Sequence, residues 1–75
     1  MKFEVGDICK LRNGYFVIVE NINHNRIWGI HCHNIKDPYL KYLFNTEGQY
    51  DLYGENHKYD VVKIFKKEEY PEIYI

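Results

Sequence analysis

Side chains that could bind a metal or act in catalysis are concentrated at His31-Cys32-His33. In an extended strand alternate side chains share a face, so the two histidines point one way and Cys32 points the other. The three side chains therefore cannot share one metal on a regular strand. The spacing of His24 and His57 relative to them matches no zinc pattern. We interpret His31 and His33 as half-exposed strand residues and predict no bound metal.

Nucleophilic or acid–base catalysis has no matching constellation of residues in this sequence. A Cys–His pair needs a base within hydrogen-bond reach of the thiol, whereas the sequence neighbours of Cys32 face away from it. No glycine-rich loop that could hold phosphate follows a strand and opens a helix. We interpret the acidic residues near loops as solvated turn residues: Asp37, Asp51, Glu55 and Asp60. We therefore predict that the protein is not an enzyme and uses no cofactor.

Aromatic side chains are the remaining candidates for a functional surface. They make up 17% of the chain and include eight tyrosines, a residue whose apolar ring and polar hydroxyl suit protein interfaces as well as half-buried strands. Most of the tyrosines cluster around predicted turns. Trp28 is expected in the core, and it becomes a recognition anchor if it lies at the rim of the fold. The predicted binding residues are Tyr15, Arg26, Trp28, Tyr39, Tyr42, Tyr50 and Tyr53.

The segments that must position these residues are predicted to be short β-strands joined by turns. Asn13-Gly14 is typical of a two-residue hairpin turn, in which both positions require a positive φ. Alternating and β-branched residues predict strands over residues 7–12, 15–22, 26–33 and 59–65. The remaining predictions are short extended pieces at 42–44, 50–53 and 70–75, loops at 34–41 and 54–57, and one helical turn at 66–69.

The fold class follows from this pattern of strands. The first three strands predict one shared core face, formed by Cys9, Leu11, Val17, Val19, Trp28, Ile30 and Cys32. The opposite face also carries apolar residues, so we expect something to cover it. A chain of 75 residues is predicted to form one domain over residues 1–75, and its lack of alanine disfavours helices. The predicted fold is all-β, a small SH3-like, partly open barrel of five to six antiparallel strands.

Charge and hydropathy limit the classes of partner. The net charge is −1 and no long basic block is present, so nucleic-acid binding is not indicated, although a local basic patch can exist within a balanced total. No apolar segment reaches membrane length, and the first residues do not resemble a signal peptide. We therefore expect a cytoplasmic protein with no membrane partner. Its two cysteines, Cys9 and Cys32, are expected to be buried thiols.

Two segments resemble known families. Residues 6–14, GDICKLRNG, resemble the opening strand pair of KOW and other SH3-like barrels. Residues 42–50, YLFNTEGQY, followed by Glu55 and by YDVV at 59–62, are similar to small proteins of bacteriophages and prophages. The first resemblance implies an SH3-like barrel and, in the KOW family, RNA, ribosomal or transcription partners. The second implies a phage accessory protein that binds a host protein, a second copy of itself or a small signalling molecule.

The resulting hypothesis is a non-catalytic, phage-encoded binding protein that modulates or inhibits a host protein of defence or transcription in the host cytoplasm. Self-association is expected as well, because both sheet faces carry apolar residues. The alternative is a nucleic-acid or nucleotide-binding module of KOW or sponge type. In that alternative, basic residues lie beside tyrosines: Lys10, Arg12, Arg26 and Lys41 beside Tyr15, Tyr39 or Tyr42. A third hypothesis, a metal-dependent enzyme, predicts stoichiometric metal in the purified protein.

Overall fold

A computed structural model describes residues 2–32, 41–51 and 57–70. Within these residues the chain forms one five-stranded antiparallel sheet. Its strands are β1 (Ile8–Leu11), β2 (Phe16–Asn23), β3 (Arg26–His31), β4 (Lys41–Phe44) and β5 (Val61–Phe65). Two 3-10 turns, His57–Tyr59 and Lys67–Glu69, flank β5. The described residues contain no α-helix, and the predicted all-β class is confirmed.

The strand order is β4-β3-β2-β1-β5, so β5, the last strand of the described residues, pairs with β1. From β1 to β4 each strand pairs antiparallel with the next strand in sequence, and short turns join β1 to β2 and β2 to β3. Ile8 of β1 then pairs with Ile18 of β2 on one side and with Phe65 of β5 on the other. The open, five-stranded sheet is consistent with the predicted small, partly open barrel.

The two edge strands of the sheet are linked through the turn that follows β4. Phe44 forms a bridge with Tyr50, and the carbonyl of Gly48 accepts a hydrogen bond from the backbone N–H of Val61 at 2.8 Å. Asn45 stabilises this turn, because its Oδ1 accepts hydrogen bonds from two backbone N–H groups of the same loop. The segment therefore connects the β4 edge to the β5 edge.

The turn between β1 and β2 differs in detail from the prediction. It spans residues 12–15 rather than two residues. Gly14 adopts a positive φ of 95°, whereas Asn13 does not have a positive φ. Instead, the Oδ1 atom of Asn13 accepts a hydrogen bond from the backbone N–H of Tyr15 at 3.0 Å. The asparagine thus closes the turn through its side chain.

The core lies on one face of the sheet. It contains Cys9, Leu11, Val17, Val19, Ile27, Tyr42, Phe44 and Val61. The predicted contributions of β1 and β2 are confirmed. The prediction for the third strand is wrong, because Trp28, Ile30 and Cys32 are only half-buried, whereas Ile27 and Gly29 are buried.

Packing around Gly29 explains this reversal. Gly29 pairs with Val19 on one side and with Tyr42 on the other. A Cβ atom at position 29 would lie 3.2 Å from Cγ2 of Val17, so the neighbouring side chains already fill the available volume. A β-bulge between Val19 and Asn21 shifts the register of this hairpin by one residue. Choosing the face of β3 by side-chain hydrophobicity alone therefore gives the wrong result.

Element boundaries differ from the predictions at several points. Lys41 begins β4 instead of ending a loop, and Tyr59 belongs to a 3-10 turn instead of β5. Tyr50 forms an isolated bridge, and Asp51 lies outside any strand. The helical turn predicted at 66–69 is confirmed as a 3-10 turn at Lys67–Glu69. Tyr70 is not in a strand, and the rest of the extended piece predicted at 70–75 lies outside the described residues.

Candidate functional site

Five rings from separate parts of the chain form a tyrosine cluster. We define this cluster as Tyr15, His31, Tyr42, Tyr50 and Tyr59. The ring centroids of Tyr50 and Tyr59 lie 5.0 Å apart, and those of Tyr42 and Tyr59 lie 5.5 Å apart. Tyr15 contacts His31 edge-on at 4.8 Å and lies 6.4 Å from Tyr59. These spacings and tilts are those that aromatic pairs prefer.

The cluster runs from the core to the surface. Tyr42 is 9% exposed, whereas Tyr15 is 45% exposed. Burial raises the pKa of the Tyr42 hydroxyl, and the neighbouring Tyr59 and Tyr15 raise that pKa further, so this hydroxyl stays neutral over the physiological range. Tyr42 therefore forms the buried base of the cluster, and Tyr15 forms its exposed face.

Short-range backbone contacts hold Tyr15 at the surface. The carbonyl of Tyr15 accepts a hydrogen bond from the N–H of Leu11 at 2.8 Å, and its own N–H donates to Asn13. The turn between β1 and β2 thereby fixes the backbone, while His31 and Tyr59 contact the ring. Because both the backbone and the ring of Tyr15 are already restrained, this exposed ring loses little conformational entropy when a partner binds it.

Asp60 fixes the loop that carries Tyr50. This residue is 7% exposed, and its Oδ1 accepts a hydrogen bond from the backbone N–H of Tyr50 at 2.9 Å. Its Oδ2 lies 3.1 Å from Nδ1 of His57 and 3.9 Å from Nη2 of Arg12. The interpretation of Asp60 as a solvated turn residue is therefore wrong.

The charge state of Asp60 follows from these contacts. Burial by itself would raise the pKa of the Asp60 carboxyl. The hydrogen bonds from Tyr50 and His57 and the nearby charges of His57 and Arg12 outweigh burial and lower this pKa. Asp60 is therefore a carboxylate at neutral pH, and it joins β1, β5 and the loop after β4.

The structure brings together part of the predicted binding set. Tyr15, Tyr42 and Tyr50 meet in the tyrosine cluster. Trp28 faces the other side of the sheet, because it pairs with Leu43, which alternates with core residues along β4. Arg26 is exposed at the first position of β3. The other two predicted residues, Tyr39 and Tyr53, lie outside the described residues.

Trp28 lines a separate, shallow cleft at the β-bulge, together with Glu20, Asn21 and Lys41. The Nζ atom of Lys41 lies 3.5 Å from a carboxylate oxygen of Glu20 across this cleft. Both of these side chains are more than a third exposed, so their ion pair contributes little to stability. The cleft shares no residue with the tyrosine cluster.

Two members of the cluster, His31 and Tyr59, are absent from the predicted binding set. His31 lies on the same side of β3 as the buried residues Ile27 and Gly29. A prediction that places Gly29 on the solvent side of β3 places His31 there as well. Tyr59 precedes β5, and it reaches the cluster only because β5 pairs with β1. The tyrosine content near turns is the one sequence signal that points to Tyr59, and no sequence signal points to His31.

The histidine and cysteine side chains bear on metal binding and thiol chemistry. In the part of the chain that the structure describes, no three His, Cys, Asp or Glu side chains are close enough to hold a metal ion. Cys9 and Cys32 are free thiols, the first buried and the second half-buried. Burial raises the pKa of Cys9 to about 12 and that of Cys32 to about 11, so both are protonated and poorly nucleophilic at neutral pH.

The described residues form no helix that is long and apolar enough to span a membrane. No protein-family model, curated protein or solved structure matches the chain. The fold thus defines a small all-β protein, and the tyrosine cluster is its candidate functional site.

Proposed function

We propose that the protein is a non-catalytic binding protein of the phage accessory type and that its partner is a host protein of defence or transcription, which it modulates or inhibits. The tyrosine cluster is the proposed contact surface. Its exposed anchor is Tyr15, whose ring centroid lies 6.4 Å from that of Tyr59, and the Nζ atom of Lys58 lies 5.0 Å from the Tyr59 ring centroid. Tyrosine and arginine are enriched among the residues that dominate the energy of protein interfaces.

The observation that carries this proposal is the exposed ring of Tyr15 on a preformed aromatic base. A ring that served only to cover the core would be largely buried, as Tyr42 is. The resemblance to phage proteins adds support. Its two segments, 42–50 and 59–62, contribute Tyr42, Tyr50 and Tyr59 to one cluster.

The test is a pull-down from host lysate with three forms of the intact protein: wild type, Tyr15→Ala and Val5→Ala. We expect a specific host protein to bind the wild type. Tyr15→Ala should weaken this binding about tenfold or more, because truncation of an interface anchor costs at least 1–2 kcal/mol. Val5→Ala is the matched control, since Val5 is 53% exposed and lies outside the tyrosine cluster.

Either of two results would contradict the proposal. One is the recovery of no specific partner by the wild-type protein. The other is equal binding of the partner by the wild type and by Tyr15→Ala, with both forms folded by circular dichroism. Equal losses in Tyr15→Ala and Val5→Ala would also argue against a localised contact.

The alternative is a nucleic-acid or nucleotide-binding module of KOW or sponge type. The exposed Tyr15 ring favours it, because such a ring can stack on a base. This alternative predicts binding of oligonucleotides or cyclic nucleotides at low salt, with an affinity for oligonucleotides that falls steeply as salt is added. Fluorescence anisotropy measures both, and the absence of binding at low salt would eliminate it.

Self-association is the second part of the proposal. The face of the sheet opposite the core carries half-buried apolar side chains, including Phe16, Ile18 and Ile30. Sedimentation velocity over a range of protein concentrations tests this part. A single species with the mass of one 9.2 kDa chain at all concentrations would contradict it.

A further inference from the structure

A row of basic side chains follows the paired strands β1 and β5. Lys10 and Lys63 are register partners and both are exposed, so they lie side by side on the face opposite the core. Two further exposed basic residues, Arg12 and Lys58, follow past the end of β1, where the two backbone segments stay paired because the N–H of Asn13 donates a hydrogen bond to the carbonyl of Lys58 at 2.9 Å. We define the basic row as Lys10, Arg12, Lys58 and Lys63.

The basic row carries an excess of positive charge. Arg12 lies 3.9 Å from the buried carboxylate of Asp60. Among residues 2–32, 41–51 and 57–70, this is the only ion pair that the row makes. Like charges at directly opposed strand positions repel one another, so Lys10 and Lys63 form a site where an anion would relieve the repulsion. The net charge of −1 for the whole chain conceals this local excess.

The rings beside the basic row are covered by ammonium groups. The Nζ atom of Lys58 lies 5.0 Å from the ring centroid of Tyr59, and that of Lys63 lies 4.8 Å from the ring centroid of Phe65. Phe65 also packs against Phe16, with the centroids 6.3 Å apart. A nucleic-acid base needs an open ring face on which to stack. A partner that approaches this row therefore meets positive charge before it meets an aromatic face.

We propose that the basic row binds an acidic segment of a protein partner, an extended run of glutamate and aspartate residues. From Lys10 to position 13 an extended chain covers about 10 Å, which matches three to four residues of an extended peptide. This inference rests on the proposed function and deepens it, because the acidic segment would belong to the protein that the tyrosine cluster contacts. Lys58, which lies over Tyr59, joins the two surfaces.

The test uses a synthetic hexaglutamate peptide as the probe and a six-nucleotide oligothymidine as its comparison. Each is titrated into the intact 15N-labelled protein at low salt and again at about 0.15 M salt. We expect hexaglutamate to shift the amide resonances of β1 and β5, with weaker binding at the higher salt because exposed charges are screened. Oligothymidine should bind no more tightly than hexaglutamate.

Substitutions assign the binding to the row. Lys10→Gln and Lys63→Gln should each weaken hexaglutamate binding roughly two- to fivefold, the range of one exposed ion pair. Lys63→Glu should abolish it while the protein stays folded, since this change places opposite charges across β1 and β5. Lys41→Gln is the matched control, because Lys41 lies on β4 and pairs with Glu20.

The inference is overturned if hexaglutamate causes no shifts, or if Lys41→Gln weakens binding as much as Lys63→Gln. Tighter binding of oligothymidine, with shifts of the Tyr59 or Phe65 ring resonances, would also overturn it in favour of nucleic acid. Failure of the proposed function has a different signature. Hexaglutamate binding would then persist, but no host partner would be recovered or its capture would not depend on Tyr15.

Discussion

Replacement of Asp60 by alanine tests whether a single buried carboxylate holds the site together. In the wild type, this carboxylate accepts the backbone N–H of Tyr50 and contacts His57 and Arg12. Loss of the acceptor leaves a partly buried N–H without its partner, which costs about 1–3 kcal/mol. The side chains of His57 and Arg12 are 60% and 58% exposed, so their ionic contacts add only about 0–1 kcal/mol.

We therefore expect Asp60→Ala to lower the free energy of unfolding by about 2 kcal/mol. A chain of 75 residues has a total stability of about 4–11 kcal/mol, so the loss is a large fraction. Asp60→Asn retains an acceptor for the N–H of Tyr50, and it should cost less than half as much. Urea denaturation followed by circular dichroism measures both variants, with the exposed Asp51→Ala as the matched control.

The same contacts predict how stability depends on pH. The pKa of Asp60 is lower in the folded protein than its ordinary value of 3.8. The carboxylate therefore contributes stability at neutral pH, and this contribution is lost as the pH falls below about 3.8 and through the folded-state pKa. The stability difference between the wild type and Asp60→Asn should shrink over the same range.

Two outcomes would refute this reasoning about Asp60. One is a loss in Asp60→Ala no larger than that in Asp51→Ala. The other is a difference between the wild type and Asp60→Asn that stays constant from pH 7 to pH 3. In either case the carboxylate would not be the acceptor that ties the loop after β4 to β5.

Two further predictions concern the core and the thiols. Gly29→Ala should destabilise the protein by about 1–3 kcal/mol, because the new methyl group would lie 3.2 Å from Cγ2 of Val17. Urea denaturation measures this change. A loss below about 0.5 kcal/mol would contradict the prediction and show that the core can adjust. Iodoacetamide at pH 8 should alkylate the half-buried Cys32 before the buried Cys9, both more slowly than a free thiol, because their pKa values are raised to about 11 and about 12. Mass spectrometry of the peptides measures the order, and faster labelling of Cys9 would contradict the burial that the fold assigns to it.

Much of the sheet is predictable because its strands are encoded locally. Alternation of apolar and polar residues and the Asn13-Gly14 turn identify β1 and β2 within one or two residues. The core face of β3 is not predictable in the same way. Gly29 is buried because the Val17 side chain fills the space beside it, and the bulge beside Glu20 depends on contacts between strands. Neither fact is visible in the hydrophobicity of β3.

The candidate site is also only partly predictable from local sequence. Residue type and position near turns are enough to select Tyr15, Tyr42 and Tyr50. The proximity of Tyr59 and the buried state of Asp60 require β5 to pair with β1, and no local pattern encodes that pairing. The basic row also cannot be predicted from local sequence, because Lys10 and Lys63 become neighbours only when β1 and β5 pair in the folded sheet.

The pairing of β1 with β5 also shapes how the chain folds as it is synthesised. Ile8 finds Ile18 early, but its other neighbour, Phe65, is synthesised 47 residues after Ile18. At about 5–20 residues per second, one edge of β1 stays unpaired for several seconds. Closing such a long loop is also slower than forming the local hairpins. Chaperones that recognise open strand edges therefore have a defined time window in which to bind β1, and the window closes when β5 docks.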